Sequence, residues 1–465
     1  MTRLELKKLS ARVARLFSVT AVLAMLIPLT SHAAIDGVVP PGGAVTLTAS
    51  EGYISIADGG SVYSWGYSVD GSSMQLPGPT LILTQGVEYT VTLNNALPAA
   101  AGNVSIVFPG HEVTSTSGGD TGNLTQEAPS GGSVSYTFTA GEPGTYQYHS
   151  GTRPDLQVEM GLYGAIVVRP AATPAACTTS AYNHAQTCFD REYLFLLSEI
   201  DLRIHQVAED QASGMGPIDI GTGAFHSEYW LLNGRAAPDT MAPSFDPILP
   251  SQPYNSFPRM HPGEKVLLRI VGAGREMHPF HTHGNHVRVL ARDGRLLLSD
   301  MGPGSVPNPT TPLAGPLLFT VPSAPGGTVD AIFEWTGEDL GWDMYGHTPG
   351  DGSVCDETVA PQHNVVGDPN YGEWCDDHNV PIPVDLPSLS SLAFGGFYSG
   401  SPFLGGMGSL PPGEGGLNPA AGFSYMWHSH NERELVNNDV FPGGMMTMLI
   451  IEAPSVDIND VPRID

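Results

Sequence analysis

The feature that most constrains the fold of this chain is a degenerate internal repeat. Residues 85–93 (QGVEYTVTL) match residues 262–270 (PGEKVLLRI), because each segment places a turn glycine before a strand-like run. Three further pairs follow in the same order: residues 105–110 with 279–284, residues 146–151 with 425–430, and the apolar segments 164–168 with 446–451. Short runs of this kind bounded by turn residues are typical of β-strands. Four correspondences in one order predict two copies of one β-domain.

The repeat divides the chain into two predicted domains. The first spans residues 36–170, a linker spans 171–189, and the second spans 190–455 and carries a loop insertion at about 339–420. With 56 glycines and 41 prolines among 465 residues, long helices are disfavoured. Short strands at regular spacing instead favour a Greek-key sandwich or barrel. The expected fold class is all-β, with two sandwich domains.

The N-terminus is typical of a secreted protein. Five basic residues surround or precede an apolar run at about 16–29, and Ser31-His32-Ala33 supplies a small-x-Ala cleavage pattern. Residues 1–33 are therefore predicted to be a signal peptide, with an uncleaved anchor as the alternative. The apolar run is short for a bilayer. We expect a mature chain without a membrane span, located outside the cytoplasm, either periplasmic or secreted.

The net charge limits the kinds of partner expected for this chain, and its cysteines indicate the cellular compartment. The formal net charge is −28, which repels nucleic acid and attracts cations, so no nucleic-acid partner is expected. The four cysteines fall into two local pairs, Cys177 with Cys188 and Cys355 with Cys375. In a secreted protein such pairs predict disulfides that close short loops.

Two His-x-His pairs carry the candidate chemistry, His281 with His283 and His428 with His430. Side chains two apart on a strand point to the same face, so two neighbouring strands would bring four imidazoles together. Imidazole is a ligand for copper, zinc, iron and nickel. The pattern predicts a metal site. The alternative is that these histidines are hydrogen-bonded core residues of a fold that has lost its metal.

Five motifs along the chain belong together: Leu76-Pro77-Gly78-Pro79-Thr80, Pro143-Gly144-Thr145-Tyr146-Gln147-Tyr148-His149-Ser150, Gly161-Leu162-Tyr163-Gly164-Ala165, His278-Pro279-Phe280-His281-Thr282-His283-Gly284 and Trp427-His428-Ser429-His430. With these motifs the chain resembles the multicopper oxidases, in particular two-domain laccases and copper nitrite reductases. The His-Pro-Phe-His-x-His-Gly string is highly specific to that family. The resemblance implies two cupredoxin domains.

The resemblance also implies an incomplete set of copper ligands. In the family, four His-x-His pairs hold a three-copper cluster between domains. Here the first pair falls on Val107 and Pro109, and the second on His149 and Gly151. Three of the eight histidines are therefore missing, and the five that remain are His149, His281, His283, His428 and His430.

The type 1 blue copper site is altered more severely. His278 matches its first ligand, but Ser429 stands where the cysteine is expected and Glu434 where the second histidine is expected. A serine hydroxyl cannot replace the thiolate on which a blue copper site depends. Ser150 likewise replaces the cysteine of nitrite reductases in the first domain. Met445 or Met446 could fill the axial position. Methionines 445, 446 and 448 are otherwise expected to be core residues, with a copper(I) site as the alternative.

These observations predict a secreted, multicopper-oxidase-like copper-binding protein, and they leave open whether it is an enzyme. One hypothesis is an oxidoreductase that acts through the residual histidine cluster on a small-molecule or metal-ion reductant. The alternatives are a non-catalytic copper-capturing protein and a metal-free structural scaffold. Copper in fewer ions than a full set is the expected cofactor, with zinc as an alternative. Two-domain members usually form trimers, so the resemblance favours a homotrimer. The candidate metal ligands are His149, His278, His281, His283, His428 and His430.

Overall fold

The computed structural model describes residues 35–69, 71–214, 216–221, 223–299, 308–337, 374, 401–403, 422–452 and 456–458. The predicted signal peptide at 1–33, the pair Cys355 and Cys375, and most of the predicted insertion at 339–420 lie outside the described residues. Within the described ranges, no helix is long and apolar enough to cross a membrane.

The first half of the chain forms two β-sheets that pack face to face. Its strands are β1 (Ala44–Ser55), β2 (Ser61–Val69), β3 (Gly78–Thr84), β4 (Glu88–Asn95), β5 (Val113–Gly118), β6 (Asp120–Thr121), β7 (Gln126–Glu127), β8 (Ser133–Thr139), β9 (Gly144–His149) and β10 (Tyr163–Arg169). One sheet has the order β2-β1-β4-β8-β5 and the other β3-β10-β9, while β6 and β7 form a separate ribbon. A short helix α1 (Pro154–Gln157) follows β9.

The second half forms two larger sheets. Its strands are β11 (Arg191–Ile200), β12 (Tyr229–Leu232), β13 (Arg259–Met260), β14 (Lys265–Gly272), β15 (His278–Thr282), β16 (Val287–Arg292), β17 (Arg295–Leu296), β18 (Leu317–Leu318), β19 (Thr320–Ser323), β20 (Thr328–Glu334), β21 (Ser401–Phe403), β22 (Gly422–Ser429) and β23 (Met446–Glu452). A seven-stranded sheet has the order β12-β11-β14-β20-β16-β17, with β18 on β16. A six-stranded sheet has the order β13-β23-β22-β15-β19, with β21 on β22.

The prediction of an all-β sandwich fold is confirmed, and the alternation of side chains explains it. In β4 the apolar residues Tyr89, Val91 and Leu93 are buried and the intervening positions are more exposed. This period of two is the pattern of a strand with one face on a core. Short 3-10 turns at Pro41–Gly43, Ala99–Ala101, Ala185–Thr187, Asp239–Met241 and Glu432–Glu434 connect the strands.

The four sheets stack in layers, and this stacking determines which faces remain outside. β10 is buried on both faces: Ile166 and Val168 join the core of the first half, while Ala165 and Val167 join a core shared with the second half. The seven-stranded sheet is also buried on both faces, towards the first half and towards the six-stranded sheet. The six-stranded sheet therefore has one core face and one outer face, and it is the layer farthest from the first half.

The strand β11 is followed by a helix, α2 (Leu202–Ala212). Asp201 caps this helix, because its carboxylate accepts hydrogen bonds from the backbone N–H groups of Arg203 and Ile204. Ile204 and Ala208 pack into the core of the first half. The helix thus ties a segment of the second half onto the first sandwich.

The first cysteine pair forms the predicted disulfide. Cys177 and Cys188 are bonded with their Cα atoms 5.2 Å apart, and they close a loop in the segment between the two sandwiches. Cross-linking so short a loop restricts the unfolded chain and stabilises the folded one.

Candidate metal centre

Strand pairing brings the histidines of the two His-x-His pairs together. β15 and β22 are antiparallel neighbours, with His281 opposite His428 and Phe280 opposite Ser429. Phe280 and Ser429 are completely buried on the core side. Because side chains alternate along a strand, His281 and His428 point to the outer face of the six-stranded sheet.

His283 and His430 each lie one residue past the end of their strand and complete the group. The ring of His281 has its centroid 4.7 Å from that of His283, 5.4 Å from that of His428 and 4.9 Å from that of His430. The ring of His428 lies 5.2 Å from that of His283 and 5.6 Å from that of His430. Four imidazoles thus converge on one region, and we refer to them as the histidine cluster.

Three members of the histidine cluster bring candidate ligand atoms close together. The candidate donor nitrogens of His281, His283 and His428 all lie within 4.8 Å of one another. The Nε2 atoms of His283 and His428 are 3.1 Å apart. Two ring nitrogens at this distance need either a shared proton or a shared cation between them, because two lone pairs repel each other.

Neighbouring groups orient two of these rings. The Nδ1 atom of His281 lies 2.7 Å from the Thr320 hydroxyl. His428 donates from Nδ1 to the carbonyl oxygen of Ser429 at 2.6 Å, which leaves Nε2 as the acceptor atom of the neutral ring. Outer hydrogen bonds of this kind fix the tautomer and the orientation of metal-binding histidines.

Burial favours the neutral form of two rings of the histidine cluster. Desolvation lowers the pKa of His281 to about 3, and the nearby rings of His283, His428 and His430 add to the effect. Burial also lowers the pKa of His428, against a smaller opposite effect of its bond to Ser429. Neutral imidazoles carry the lone pairs that a metal ion requires, so His281 and His428 can accept a cation without first losing protons.

His430 forms the solvent-facing rim of the cluster. Its side chain is 51% exposed, and its Nδ1 atom lies 3.3 Å from a carboxylate oxygen of Glu432, whose side chain is 81% exposed. His281 and His428 are buried beneath it. The cluster is therefore open to solvent on the side of His430.

His149 does not join these four rings within one chain. It ends β9, its backbone pairs with Val107, and its Nδ1 lies 3.0 Å from the carbonyl oxygen of Ser150. Burial lowers its pKa. In the described part of the chain, no hydrogen bond or ring contact connects His149 to the histidine cluster. The seven-stranded sheet lies between them, because β9 contacts β14 and β20 of that sheet.

A buried ion triad is centred on His278, the residue that the family resemblance places at a type 1 copper. His278 bonds through Nδ1 to Glu434 at 2.9 Å and through Nε2 to Glu199 at 2.9 Å, and all three side chains are at most 1% exposed. Each carboxylate has a further donor: Asn431 bonds to Glu434 at 2.8 Å, and the backbone N–H groups of residues 275 and 276 bond to Glu199. Every polar atom of the triad is thus partnered.

The triad gives His278 a second interpretation beside that of a candidate metal ligand, namely a charged ring between two carboxylates. Burial alone would lower its pKa, but the hydrogen bonds and charges of Glu199 and Glu434 outweigh burial and raise the pKa to about 9. A protonated ring with both nitrogens bonded to carboxylates has no lone pair for a metal. The Ser429 hydroxyl accepts from the N–H of Asn431, and Met445 is buried in the core.

Two of the residues just described are absent from the sequence-based prediction. Glu199 ends the apolar strand β11, and a carboxylate at the end of such a buried run indicates a buried partner. That signal was available in the sequence but does not identify His278 as the partner. Thr320 gives no sequence signal, because its role depends on β19 pairing with β15, which places it opposite His281.

Comparisons with known proteins agree with this fold. A multicopper oxidase family model matches residues 56–173. Laccase abr2 of Aspergillus fumigatus is 38% identical over 171 residues, which cover 35% of this chain and 27% of that protein. The iron transport multicopper oxidase fetC of Epichloe festucae is 36% identical over 110 residues, covering 23% of this chain and 17% of that protein. In these segments the chain is similar to multicopper oxidases.

Solved structures of multicopper oxidases share the same architecture. The blue copper oxidase from Nitrosomonas europaea has 16% sequence identity and a TM-score of 0.50, with 87% of this chain and 85% of that chain covered. The multicopper oxidase mgLAC has 18% identity and a TM-score of 0.51, with 90% and 88% covered. At these identities the likeness concerns the fold. The chain spans about a quarter of the length of the first curated relatives it matches, 24% and 27%.

Proposed function

We propose that this multicopper oxidase relative binds a single metal ion at the histidine cluster and holds no type 1 copper. One observation carries the proposal: the candidate ligand nitrogens of His281, His283 and His428 lie within 4.8 Å of one another at the outer face of the six-stranded sheet. Three imidazoles with an accessible fourth position are a suitable set for copper(II) or zinc. Copper is favoured because the family implies it.

The ligand set limits the chemistry that a bound copper could supply. A copper ion held by imidazoles can change oxidation state, and this redox capacity is what the metal would contribute. Ser429 and the partnered His278 leave no thiolate-based entry for electrons. An oxidoreductase activity would therefore need a small-molecule or metal-ion reductant that reaches the cluster directly, past the exposed His430.

A non-catalytic role in copper capture is the second candidate function. The exposed pair His430 and Glu432 lies at the rim above the buried His281 and His428. The formal net charge of −28 concentrates cations near the surface. Such a chain would collect copper outside the cytoplasm, the compartment that the predicted signal peptide implies. A metal-free scaffold is the third candidate, and it predicts no specific binding.

In a homotrimer, His149 of one copy could lie near the histidine cluster of another copy. Within one chain the seven-stranded sheet separates His149 from the histidine cluster. The outer face that carries the cluster lies on the far side of its sandwich from the first half of the same chain. His149 of a neighbouring copy could therefore approach it, as in the trimers that the resemblance implies.

Metal analysis of the purified protein tests the proposal. After loading with Cu(II) or Zn(II) and dialysis, we expect about one ion per chain. The double variant His281→Ala/His428→Ala should lose that ion, while His226→Ala, which removes a histidine that is 68% exposed, should retain it. A wild-type chain that retains no ion, or a double variant that binds as the wild type does, would contradict the proposal.

A further inference from the structure

The outer face of the six-stranded sheet carries methionines directly beside the histidine cluster. In the pairing of β22 with β23, His428 lies opposite Met446 and Met426 lies opposite Met448. Because residues two apart on a strand share a face, these four side chains form a two-by-two block. His428 occupies one corner, and methionines occupy the other three. We call residues 426, 446 and 448 the methionine patch.

The residues of the methionine patch are less buried than the core residues beside them. Tyr425, Trp427, Met445 and Leu449 are completely buried, and all four belong to the core of the second sandwich. The three patch residues alternate with core residues along β22 and β23 and are only partly buried. The expectation that methionines 445, 446 and 448 are all core residues is therefore correct only for Met445.

The spacing of the patch allows the three sulfur atoms to meet. Residues opposite each other on paired strands have Cβ atoms about 5 Å apart, and residues two apart on one strand have Cα atoms about 6.7 Å apart. A methionine side chain has three rotatable bonds and spans comparable distances. Convergence of the thioethers of Met426, Met446 and Met448 needs no change of the backbone.

We propose that the methionine patch is a site for a soft monovalent cation, copper(I), next to the histidine cluster. Thioether sulfur is neutral and polarisable, so it prefers copper(I) and the chemically similar silver(I) to harder divalent ions. Imidazoles accept divalent copper or zinc. The outer face would thus offer two adjacent sites of different softness, one for each oxidation state of copper.

The inference goes beyond the proposed function and does not depend on it. The three thioethers belong to residues outside the histidine cluster, so either site can exist without the other. Patch residues made only for packing would bind silver(I) no better than leucines of similar volume. This difference defines the experiment.

The experiment titrates the full chain with silver(I) and with copper(I) under reducing conditions, in competition with a chromophoric chelator. The test variant is Met426→Leu/Met446→Leu/Met448→Leu, because leucine preserves hydrophobic volume but lacks the sulfur. Met445→Leu is the matched control, since it removes a neighbouring sulfur on the core side. We expect the triple variant to lose at least about tenfold in silver(I) affinity, and the control to match the wild type.

A second measurement needs no substitution at the patch. With methionine methyl groups labelled with carbon-13, silver(I) should shift the signals of residues 426, 446 and 448 and leave that of Met445 in place. Unchanged patch signals would overturn the inference, as would wild-type silver(I) affinity in the triple variant. Silver(I) binding that disappears only in His281→Ala/His428→Ala would assign the cation to the imidazoles and also overturn it. Zinc content, measured in parallel, reports on the histidine cluster alone.

Discussion

His278 shows how several substitutions act together at the residue scale. In a blue copper site an imidazole nitrogen at this position is a metal ligand, but here Glu199 and Glu434 occupy both ring nitrogens. Removing the thiolate alone would leave a histidine with a free nitrogen in a buried pocket. The two carboxylates turn this ring into a charged, fully bonded group, which is how a buried charge avoids a large desolvation cost.

Restoring the cysteine alone should therefore fail to restore a blue copper. We expect Ser429→Cys, loaded with copper(II), to show no intense blue charge-transfer band, because Glu434 still holds the Nδ1 atom of His278. The double variant Ser429→Cys/Glu434→His frees that nitrogen and supplies a second imidazole, so it should acquire the band. Visible absorption spectra compare the two variants. A blue single variant would show that the triad does not prevent copper binding.

The triad also predicts how stability depends on pH. The pKa of His278 is about 9 in the folded protein, against 6.5 for a free histidine. Its contribution is therefore fully present below pH 6.5 and is lost as the pH rises through 9. The pKa difference corresponds to about 3 kcal/mol of folding free energy.

Glu434→Gln should destabilise the metal-free protein by about 2 kcal/mol at pH 6.5, because it removes one of the two carboxylates that stabilise the charged ring. The deficit should shrink as the pH rises above 9, where the wild type loses the same interaction. Urea unfolding midpoints across this range measure it. Glu432→Gln is the control, since that side chain is 81% exposed. A deficit that stays constant with pH would show that His278 is not the titrating partner.

At the scale of strands, the sequence was sufficient to predict that the histidine cluster forms. The His-x-His spacing requires both rings of a pair to share a face, and the pairing of β15 with β22 brings the two pairs together. Which strands become neighbours could be anticipated only from the family resemblance. The register that places Met446 opposite His428 is set by long-range pairing, so it could not be read from either strand alone.

Two other features, the helix α2 and the position of His149, depend on packing that the sequence alone does not reveal. The helix α2 has a short apolar face that becomes recognisable only when it packs on the other sandwich. His149 was assigned to the same cluster as His281 from ligand counting. Within one chain the seven-stranded sheet lies between His149 and His281. It occupies this middle layer because both of its faces are buried.

On the scale of the whole molecule, a buried ionic network holds the two sandwiches together. Arg269 of β14 donates to Glu192 at 2.9 Å and to the Thr145 hydroxyl of β9 at 3.0 Å. Arg169 of β10 reaches the same glutamate, and Asp330 accepts from Thr145. Arg269 is completely buried. The network therefore links the first half of the chain to the second. Arg269, Glu192 and Asp330 are buried, so their charges interact with each other and not with water.

Arg269→Met should destabilise the protein by about 3 to 5 kcal/mol, because it leaves Glu192 and Asp330 buried without their shared cation. Lys265→Met is the matched control: Lys265 lies on the same strand and pairs at 3.7 Å with Glu334 of β20, but their side chains are 47% and 52% exposed. An exposed pair of this kind contributes little, so the control should change stability by less than about 1 kcal/mol. Urea unfolding measures both variants.

The pH dependence tests the same network independently. Burial would raise the pKa of Glu192, but Arg169 and Arg269 lower it to about 2, against 4.5 for the isolated group. The resulting stability is present above pH 4.5 and is lost as the pH falls through 2. Without Arg269 the pKa of Glu192 should rise, so the variant should unfold in acid at a higher pH than the wild type does. Equal acid-unfolding midpoints for the wild type and the Arg269 variant would show that Arg169 alone stabilises the carboxylate of Glu192. In that case the two sandwiches would be held together mainly by their shared apolar core.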